Sequence, residues 1–138
     1  MSAQLTNKPD RKRILLVDPN HEVFVRVMIL IDDIAADEYA LDWAASFRFG
    51  TSLLKRNRYQ TCLVASNLGF QTGREFANTA RAIAPEVPLI MLEHPGSSPP
   101  AHEPGDEHLW DRLRLDQMTA QLLCNTLREA SMQRVVDA

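Results

Sequence analysis

The sequence has few of the features that mark secreted or membrane-bound proteins. It contains two cysteines, Cys62 and Cys124, which lie far apart and outside any Cys-X-X-Cys pattern. Free buried thiols are therefore favoured over a disulfide or a metal pair. No apolar run approaches the roughly 18 residues that a membrane span needs, and the N-terminus lacks the charged-then-apolar layout of a secretion signal. These absences predict a cytoplasmic protein with no membrane partner.

Strong charge of either sign is also missing. The 138 residues carry 15 Lys and Arg against 18 Asp and Glu, a formal net charge of −3 at pH 7, which gives no electrostatic reason to expect nucleic acid as a partner. The first apolar run ends in Asp18, Pro19 and Asn20 rather than in a glycine-rich phosphate loop. No nucleophile, base and orienting group occur together at a motif spacing, so we expect no enzymatic activity.

Short apolar runs alternate with segments of helical periodicity along the chain. Strands are predicted over residues 14–17, 39–44, 61–65, 87–92 and 108–110. Asn20 and Ser46 are suited to cap the first two helices, Thr72 and Glu75 form a capping-box pattern before the third, and a last helix is predicted over 116–136. This alternation indicates an α/β fold, a doubly wound flavodoxin-like parallel sheet with its site at the carboxyl ends of the strands.

The predicted domain spans residues 13–138 and follows a polar, flexible lead over residues 1–12. Within the domain, residues 94–107 hold four prolines and two glycines. They exclude a regular helix through the middle of this segment, because proline lacks an amide donor and clashes with the preceding turn. The segment and its edge carry three histidines, His94, His102 and His108. Their spacing matches no established zinc-ligand pattern, which favours a polar loop over a zinc site.

Three stretches carry a resemblance to a known family. Residues 14–18 read ILLVD, residues 65–73 read ASNLGFQTG, and residues 88–92 read PLIML. In this order and at this spacing they resemble the first strand, the loop after the third strand and the fourth strand of CheY-like response-regulator receiver domains. The resemblance covers roughly residues 13–130. It implies a five-stranded parallel sheet in the order 2-1-3-4-5, with the family's fourth helix replaced or remodelled by the proline-rich segment.

The resemblance also implies a chemistry whose side chains this sequence lacks. Receivers accept a phosphoryl group on an aspartate at the end of the third strand, beside a magnesium ion held by two acidic residues. Here the nucleophile position falls on Ala65, and the acidic pair falls on Asp18 and Pro19. A hydroxyl position falls on Glu93 and a lysine position on Asp111. The sequence therefore resembles a degenerate pseudo-receiver without the phosphoacceptor aspartate.

A shift of the alignment by one residue is the main alternative. It puts Ser66 at the nucleophile position, but it spoils the match at Leu68, Gly69 and Gly73 together. A serine would also form a stable phosphate ester instead of the labile acyl phosphate that a switch requires. The register with Ala65 is therefore favoured.

Carboxylates provide the candidate metal site. Asp18, Glu93 and Asp111 should meet at the carboxyl edge of the sheet, where clustered carboxylates suit a hard cation. A solvated acidic rim, or pairing with Arg112 and Arg114, is the favoured interpretation because the second acidic residue after the first strand is missing. We therefore expect no cofactor, with Mg²⁺ at Asp18 as the alternative.

The predicted function is a phosphorylation-independent interaction or dimerisation module in two-component-type signalling. Its partner would be a second copy of the chain, another protein or an output domain, and the candidate interface residues are His108, Trp110, Met118 and Leu122. Tryptophan is favoured there because it is enriched among interface hot spots. Two alternatives remain open: a sensor that binds a small ligand in the vacated acidic pocket, and a receiver that still responds to phosphorylation.

Overall fold

The computed structural model describes residues 11–94 and 109–137, with side chains up to Met132. Its strands are β1 (Lys12–Val17), β2 (Tyr39–Ala44), β3 (Thr61–Ala65), β4 (Leu89–Glu93) and β5 (Asp111–Arg114). Its α-helices are α1 (His21–Ala35), α2 (Phe47–Arg56), α3 (Gly73–Ile83) and α4 (Ala120–Asp137), the last preceded by a 3₁₀ turn (Leu115–Gln117). Among these residues, no helix combines the length and the apolar character that crossing a membrane requires.

The five strands form one parallel sheet in the order β2-β1-β3-β4-β5. This confirms the predicted fold class and strand order. Ala65, the last residue of β3, lies opposite Leu92 of β4, and Glu93, the last residue of β4, lies opposite Arg114 of β5. The carboxyl ends of the central strands therefore share one edge, where a site is expected in an open α/β sheet.

Helices cover both faces of the sheet. In β1 the residues Ile14 and Leu16 pack with helices α1 and α4, whereas Leu15 and Val17 pack with α2 and α3. All four are fully buried. A strand covered on both sides needs a continuous apolar run rather than an alternating one, which explains the pattern seen in the sequence.

Capping residues begin the first three helices as predicted. The side chain of Asn20 accepts a hydrogen bond from the backbone N–H of Glu22 at 2.9 Å, and that of Ser46 accepts one from Phe49 N–H at 3.1 Å. Thr72 and Glu75 form the reciprocal capping box. Each cap satisfies an amide that the helix itself leaves without a partner.

Several predicted boundaries are wrong. Strand β1 begins at Lys12 instead of residue 14, and β4 spans Leu89–Glu93 instead of residues 87–92. Strand β5 begins at Asp111 instead of residue 108, because its pairing with β4 runs from Ile90 opposite Asp111 to Glu93 opposite Arg114. The last helix begins at Ala120 instead of residue 116, because the 3₁₀ turn intervenes and the hydroxyl of Thr119 accepts a hydrogen bond from Leu122 N–H at 3.1 Å.

Two other predictions concern residues that are not described. The proposed remodelling of the fourth helix by the proline-rich segment lies outside the described residues, as do His102 and His108 and residues 1–10 of the predicted lead.

Candidate functional site

A cleft of about 390 Å³ opens at the carboxyl edge of the sheet. Its lining comes from the ends of β1, β3 and β4 and the loops that follow them: Asp18, Pro19, Asn20, Ser66, Asn67, Gly69 and His94. The cleft therefore occupies the place at which the sequence predicted a site. Asp18 is the one carboxylate among the described lining residues.

Asp18 is an entirely buried carboxylate. Its Oδ1 accepts a hydrogen bond from the backbone N–H of Asn20 at 2.8 Å. Its Oδ2 accepts no hydrogen bond from any described residue, and the nearest charge partner is Nε2 of His94 at 3.5 Å. Burial raises the pKa of Asp18, although the Asn20 amide and the nearby His94 imidazole act in the opposite direction.

The backbone of Asp18 is held from strand β2. Trp43 donates its indole N–H to the carbonyl oxygen of Asp18 at 2.8 Å. The indole ring stacks on Phe24 and meets His21 edge-on, with 5.2 Å between ring centroids in each case. Trp43 was not among the candidate site residues predicted from the sequence, so sequence reasoning missed this contact with the site.

The loop after β3 is fixed by close backbone contacts. Gly73 donates its N–H to the carbonyl oxygen of Ser66 at 3.0 Å. A Cβ placed on Gly73 would lie 2.3 Å from the carbonyl oxygen of Ala65, so only glycine allows helix α3 to begin this close to β3. Gly69 has φ of +90°, a conformation that L-residues avoid. These glycines explain the loop pattern that the resemblance rested on.

The carboxylates do not converge as predicted. Asp111 lies at the amino end of β5, opposite Ile90, and therefore at the wrong end of the strand. Glu93 does not line the cleft; its Oε2 instead lies 3.2 Å from Nη1 of Arg112, with which it forms an ion pair. Of the three acidic residues, only Asp18 reaches the cleft.

The strand register also changes the residue at the predicted lysine position. Arg114, not Asp111, ends β5 beside Glu93, and its guanidinium forms an ion pair with Asp116 at 3.1 Å. Sequence reasoning named Arg114 only as a partner for the carboxylates and did not place it at the lysine position, because it put the strand too early. The alternation from Asp111 to Leu115, with Leu113 as a buried position, was the signal that would have located it.

The candidate interface residues differ in exposure. Trp110 and Leu122 are 36% and 41% exposed, so both side chains are accessible. Met118 is 3% exposed and packs in the core beneath α1 and α4, so its assignment to an interface is wrong. His108 lies outside the part of the chain that the structure describes.

The described lining does not fit a magnesium ion. Mg²⁺ requires near-octahedral oxygen ligands, including carboxylates. Asp18 supplies one carboxylate, but neither Pro19 nor Ala65 has a side-chain oxygen. Among the described cleft residues, Asp18 alone could supply a carboxylate ligand to a Mg²⁺ ion.

Several solved structures that are similar to this chain in fold are receiver domains. A CheY-like response regulator receiver domain protein from Methanospirillum hungatei JF-1 is similar with a TM-score of 0.77 and 16% identity, over 93% of this chain and 99% of the other. The chemotaxis protein CheY4 of Vibrio cholerae gives a TM-score of 0.73 and 21% identity, over 87% of this chain and 98% of its own.

A third structure is the N-terminal domain of a response regulator/sensory box/GGDEF 3-domain protein from Carboxydothermus hydrogenoformans, with a TM-score of 0.77, 17% identity and coverages of 91% and 98%. No protein-family model matches the sequence, and no curated protein matches it either. Likeness at these identities concerns the backbone architecture. With its parallel strand order and its cleft at the carboxyl edge, the chain has the fold of a response-regulator receiver domain.

Proposed function

We propose that the chain is a phosphorylation-independent pseudo-receiver, a cytoplasmic signalling module that acts through protein contacts in a two-component-type pathway. The observation that carries this proposal is the residue at the end of β3. Ala65 is fully buried there and has no nucleophilic atom, whereas receivers carry their phosphoacceptor aspartate at this position.

The charges around the edge support the same proposal. At the end of β4, Glu93 stands where receivers have a hydroxyl, but its carboxylate is paired with Arg112 and lies outside the cleft. Arg114 lies opposite Glu93, but it is already paired with Asp116. A phosphoryl group at this edge would therefore find no hydroxyl at the end of β4 and a cation already engaged elsewhere.

Intact-protein mass spectrometry after incubation with acetyl phosphate and Mg²⁺ tests the loss of phosphorylation. We expect no added phosphoryl group. Ser66→Ala is the matched variant because Ser66 is the neighbouring residue with a hydroxyl. Acid-stable phosphate that disappears in Ser66→Ala would assign the phosphoacceptor to Ser66, and labile phosphate in either protein would overturn the proposal.

Trp110 and Leu122 are the proposed contact residues for a second copy of the chain, or for a partner or output domain. Both are apolar and accessible, and tryptophan is enriched among the few residues that carry most of the binding energy at interfaces. Light scattering over a range of concentrations should give a dimer mass that Trp110→Ala or Leu122→Ala lowers. Ile29→Ala on α1 is the control, because Ile29 is 58% exposed and lies on another helix. A monomer at every concentration would reject the homodimer.

A small-ligand sensor is the second candidate. The observation in its favour is the cleft of about 390 Å³ beside a buried carboxylate oxygen whose nearest partner is Nε2 of His94, at 3.5 Å. Buried polar groups are almost always paired. A rise in the melting temperature with a bound small molecule, abolished by Asp18→Asn, would support this function.

A further inference from the structure

Strand β2 is an outer strand of the sheet and pairs, among the described residues, with β1 alone. The carbonyl oxygen of Glu38 accepts a hydrogen bond from Lys12 N–H, and that of Ala44 accepts one from Asp18 N–H, both at 3.0 Å. Alternate residues of a strand direct their N–H and C=O groups to the same side, so the even-numbered residues of β2 bond to β1. The residues that direct these groups away from the sheet are Tyr39, Leu41 and Trp43.

This outer edge of β2 lacks the features that usually prevent strands from pairing with another chain. Exposed edges are commonly short, charged or interrupted by proline. At the opposite edge of the sheet, β5 is four residues long and three of them are charged. In contrast, β2 has six residues and a single charge, Asp42, whose carboxylate accepts a hydrogen bond from the Tyr59 hydroxyl at 2.8 Å. The β2 edge is therefore the one that is suited to receive a further strand.

We propose that β2 pairs with β2 of a second copy of this chain, antiparallel and about a two-fold axis at Leu41. In this register Leu41 and the partner's Leu41 exchange two hydrogen bonds, and Tyr39 exchanges two with the partner's Trp43. All three outward N–H groups and all three outward C=O groups of each copy then have partners. The outward residues are spaced symmetrically about Leu41, as a self-complementary two-fold interface requires.

The side chains of β2 fit the same register. Leu41 and Trp43 are half-buried on the face that packs with α1, beside a groove of about 520 Å³ that Phe24 and Met28 also line. Side chains of directly opposed residues lie on the same face of a sheet, so the partner's Leu41 would extend the apolar surface next to Met28, which is 37% exposed.

The charges are also compatible with this pairing. On the other face of the sheet, Ala40 lies opposite the partner's Asp42 in the proposed register, so no like charges oppose each other across the two-fold axis. Asp42 is already paired with Arg13 of its own chain. A second copy of β2 therefore meets no unpaired charge of its own sign at this edge.

This interface is separate from the contact residues Trp110 and Leu122. Trp110 immediately precedes β5, the strand at the opposite edge of the sheet. The proposal rests neither on that contact nor on the loss of phosphorylation, and each can fail without the others.

Backbone amide exchange, resolved by NMR in dilute and in concentrated protein, tests the pairing. We expect the amides of Tyr39, Leu41 and Trp43 to exchange at least about tenfold more slowly in the concentrated sample. The amide of Asp42 is the internal control, because it bonds to β1 and should be protected at both concentrations. Exchange of the three amides that does not depend on concentration would overturn the proposal, even if the chain dimerises elsewhere. A concentration effect that Trp110→Ala abolishes would overturn it as well.

A charge exchange at Leu41 tests both the register and the identity of the partner. In Leu41→Lys alone, and in Leu41→Glu alone, like charges would face each other across the axis, and we expect the concentration effect to disappear. An equimolar mixture of the two variants should restore slow exchange at Tyr39 and Trp43, because opposite charges then meet.

Phe70→Lys is the control for these variants, since Phe70 is fully exposed in the loop after β3 and its substitution should leave the concentration effect unchanged. A mixture that exchanges as fast as either Leu41 variant alone would overturn the proposed register. If the Leu41 variants do not fold, the concentration series on the unmodified chain still decides.

Discussion

Arg128 of helix α4 forms a bidentate ion pair with Glu38, the residue that precedes β2. Its Nη2 donates to Oε1 of Glu38 at 2.8 Å, and its Nε lies 3.2 Å from Oε2. The bond ties the last helix to the connection between α1 and β2. The hydrogen bond from Arg128 lowers the pKa of Glu38.

This ion pair predicts a pH-dependent contribution to stability. Because the folded-state pKa of Glu38 lies below its unfolded value of about 4.3, the contribution is complete above that pH and is lost as the pH falls through the folded pKa. Both side chains are partly exposed, so we expect at most about 1 kcal/mol. Urea unfolding should show Glu38→Gln to be less stable than the parent at pH 7 and equal to it near pH 2.

Glu129→Gln is the matched control for that experiment. Glu129 lies next to Arg128 on the same helix and is exposed, so its neutralisation should leave the free energy of unfolding nearly unchanged. A difference between Glu38→Gln and the parent that persists at low pH would contradict the assignment to this carboxylate.

The approach of helix α3 to β3 predicts a large effect at Gly73. Gly73→Ala would place a methyl group 2.3 Å from the carbonyl oxygen of Ala65, and since that atom belongs to the backbone it cannot rotate away. We expect a loss of about 3 kcal/mol in the free energy of unfolding, measured by urea denaturation.

Gly69→Ala is the comparison for Gly73→Ala. Gly69 has φ of +90°, but a methyl group added to it would have no heavy atom within 4 Å, so its substitution costs only the backbone strain of about 1–2 kcal/mol. Equal losses for the two variants would show that the close approach of α3 does not matter.

The indole hydrogen bond to Asp18 predicts a difference between the two tryptophans. Trp43→Phe keeps an aromatic ring beside Phe24 but removes the donor to the Asp18 carbonyl. We expect a loss of about 1 kcal/mol in the free energy of unfolding. Trp110→Phe, at a more exposed ring, should change it by less than about 0.5 kcal/mol. A Trp43→Phe variant as stable as the parent would show that this bond does not contribute.

The two thiols should be unreactive in the folded protein. Cys62 and Cys124 are fully buried and free, which confirms the prediction from their spacing. Burial raises the pKa of the Cys62 thiol and that of Cys124, which lowers the thiolate fraction that reacts. An aromatic disulfide reagent should label neither thiol in buffer and both in denaturant. Rapid labelling of the native protein would contradict the buried placement.

Local signals in the sequence were sufficient for most of the elements. Strand β3 spans Thr61–Ala65 as predicted, because a short continuous apolar run is enough to indicate a strand buried on both faces. The caps at Asn20, Ser46 and Thr72 were also predictable. A capping side chain bonds to a backbone amide within three or four residues, so the hydrogen bond can be predicted from residues that are close in sequence.

The arrangement of the site depends on contacts between residues that are far apart in the sequence. The register of β5 against β4 is set by hydrogen bonds between the two strands. In this register Arg114 lies beside Glu93, and Asp111 lies at the other end of β5. Met118 looked suited to an interface, but the 3₁₀ turn before α4 places it in the core.

By itself, then, the sequence determined most of the helices and strands and their parallel pairing, because periodicity and caps are properties of short segments, but it misplaced β5 and the start of α4. Only the tertiary structure decided that Nε2 of His94 lies 3.5 Å from Oδ2 of Asp18 and that Trp43 donates a hydrogen bond to the Asp18 backbone carbonyl. These groups come from three different strand ends. They meet because the sheet aligns the carboxyl ends of β1, β2 and β4 at one edge. Burial at this edge limits the number of hydrogen-bond donors that can contact the Asp18 carboxylate.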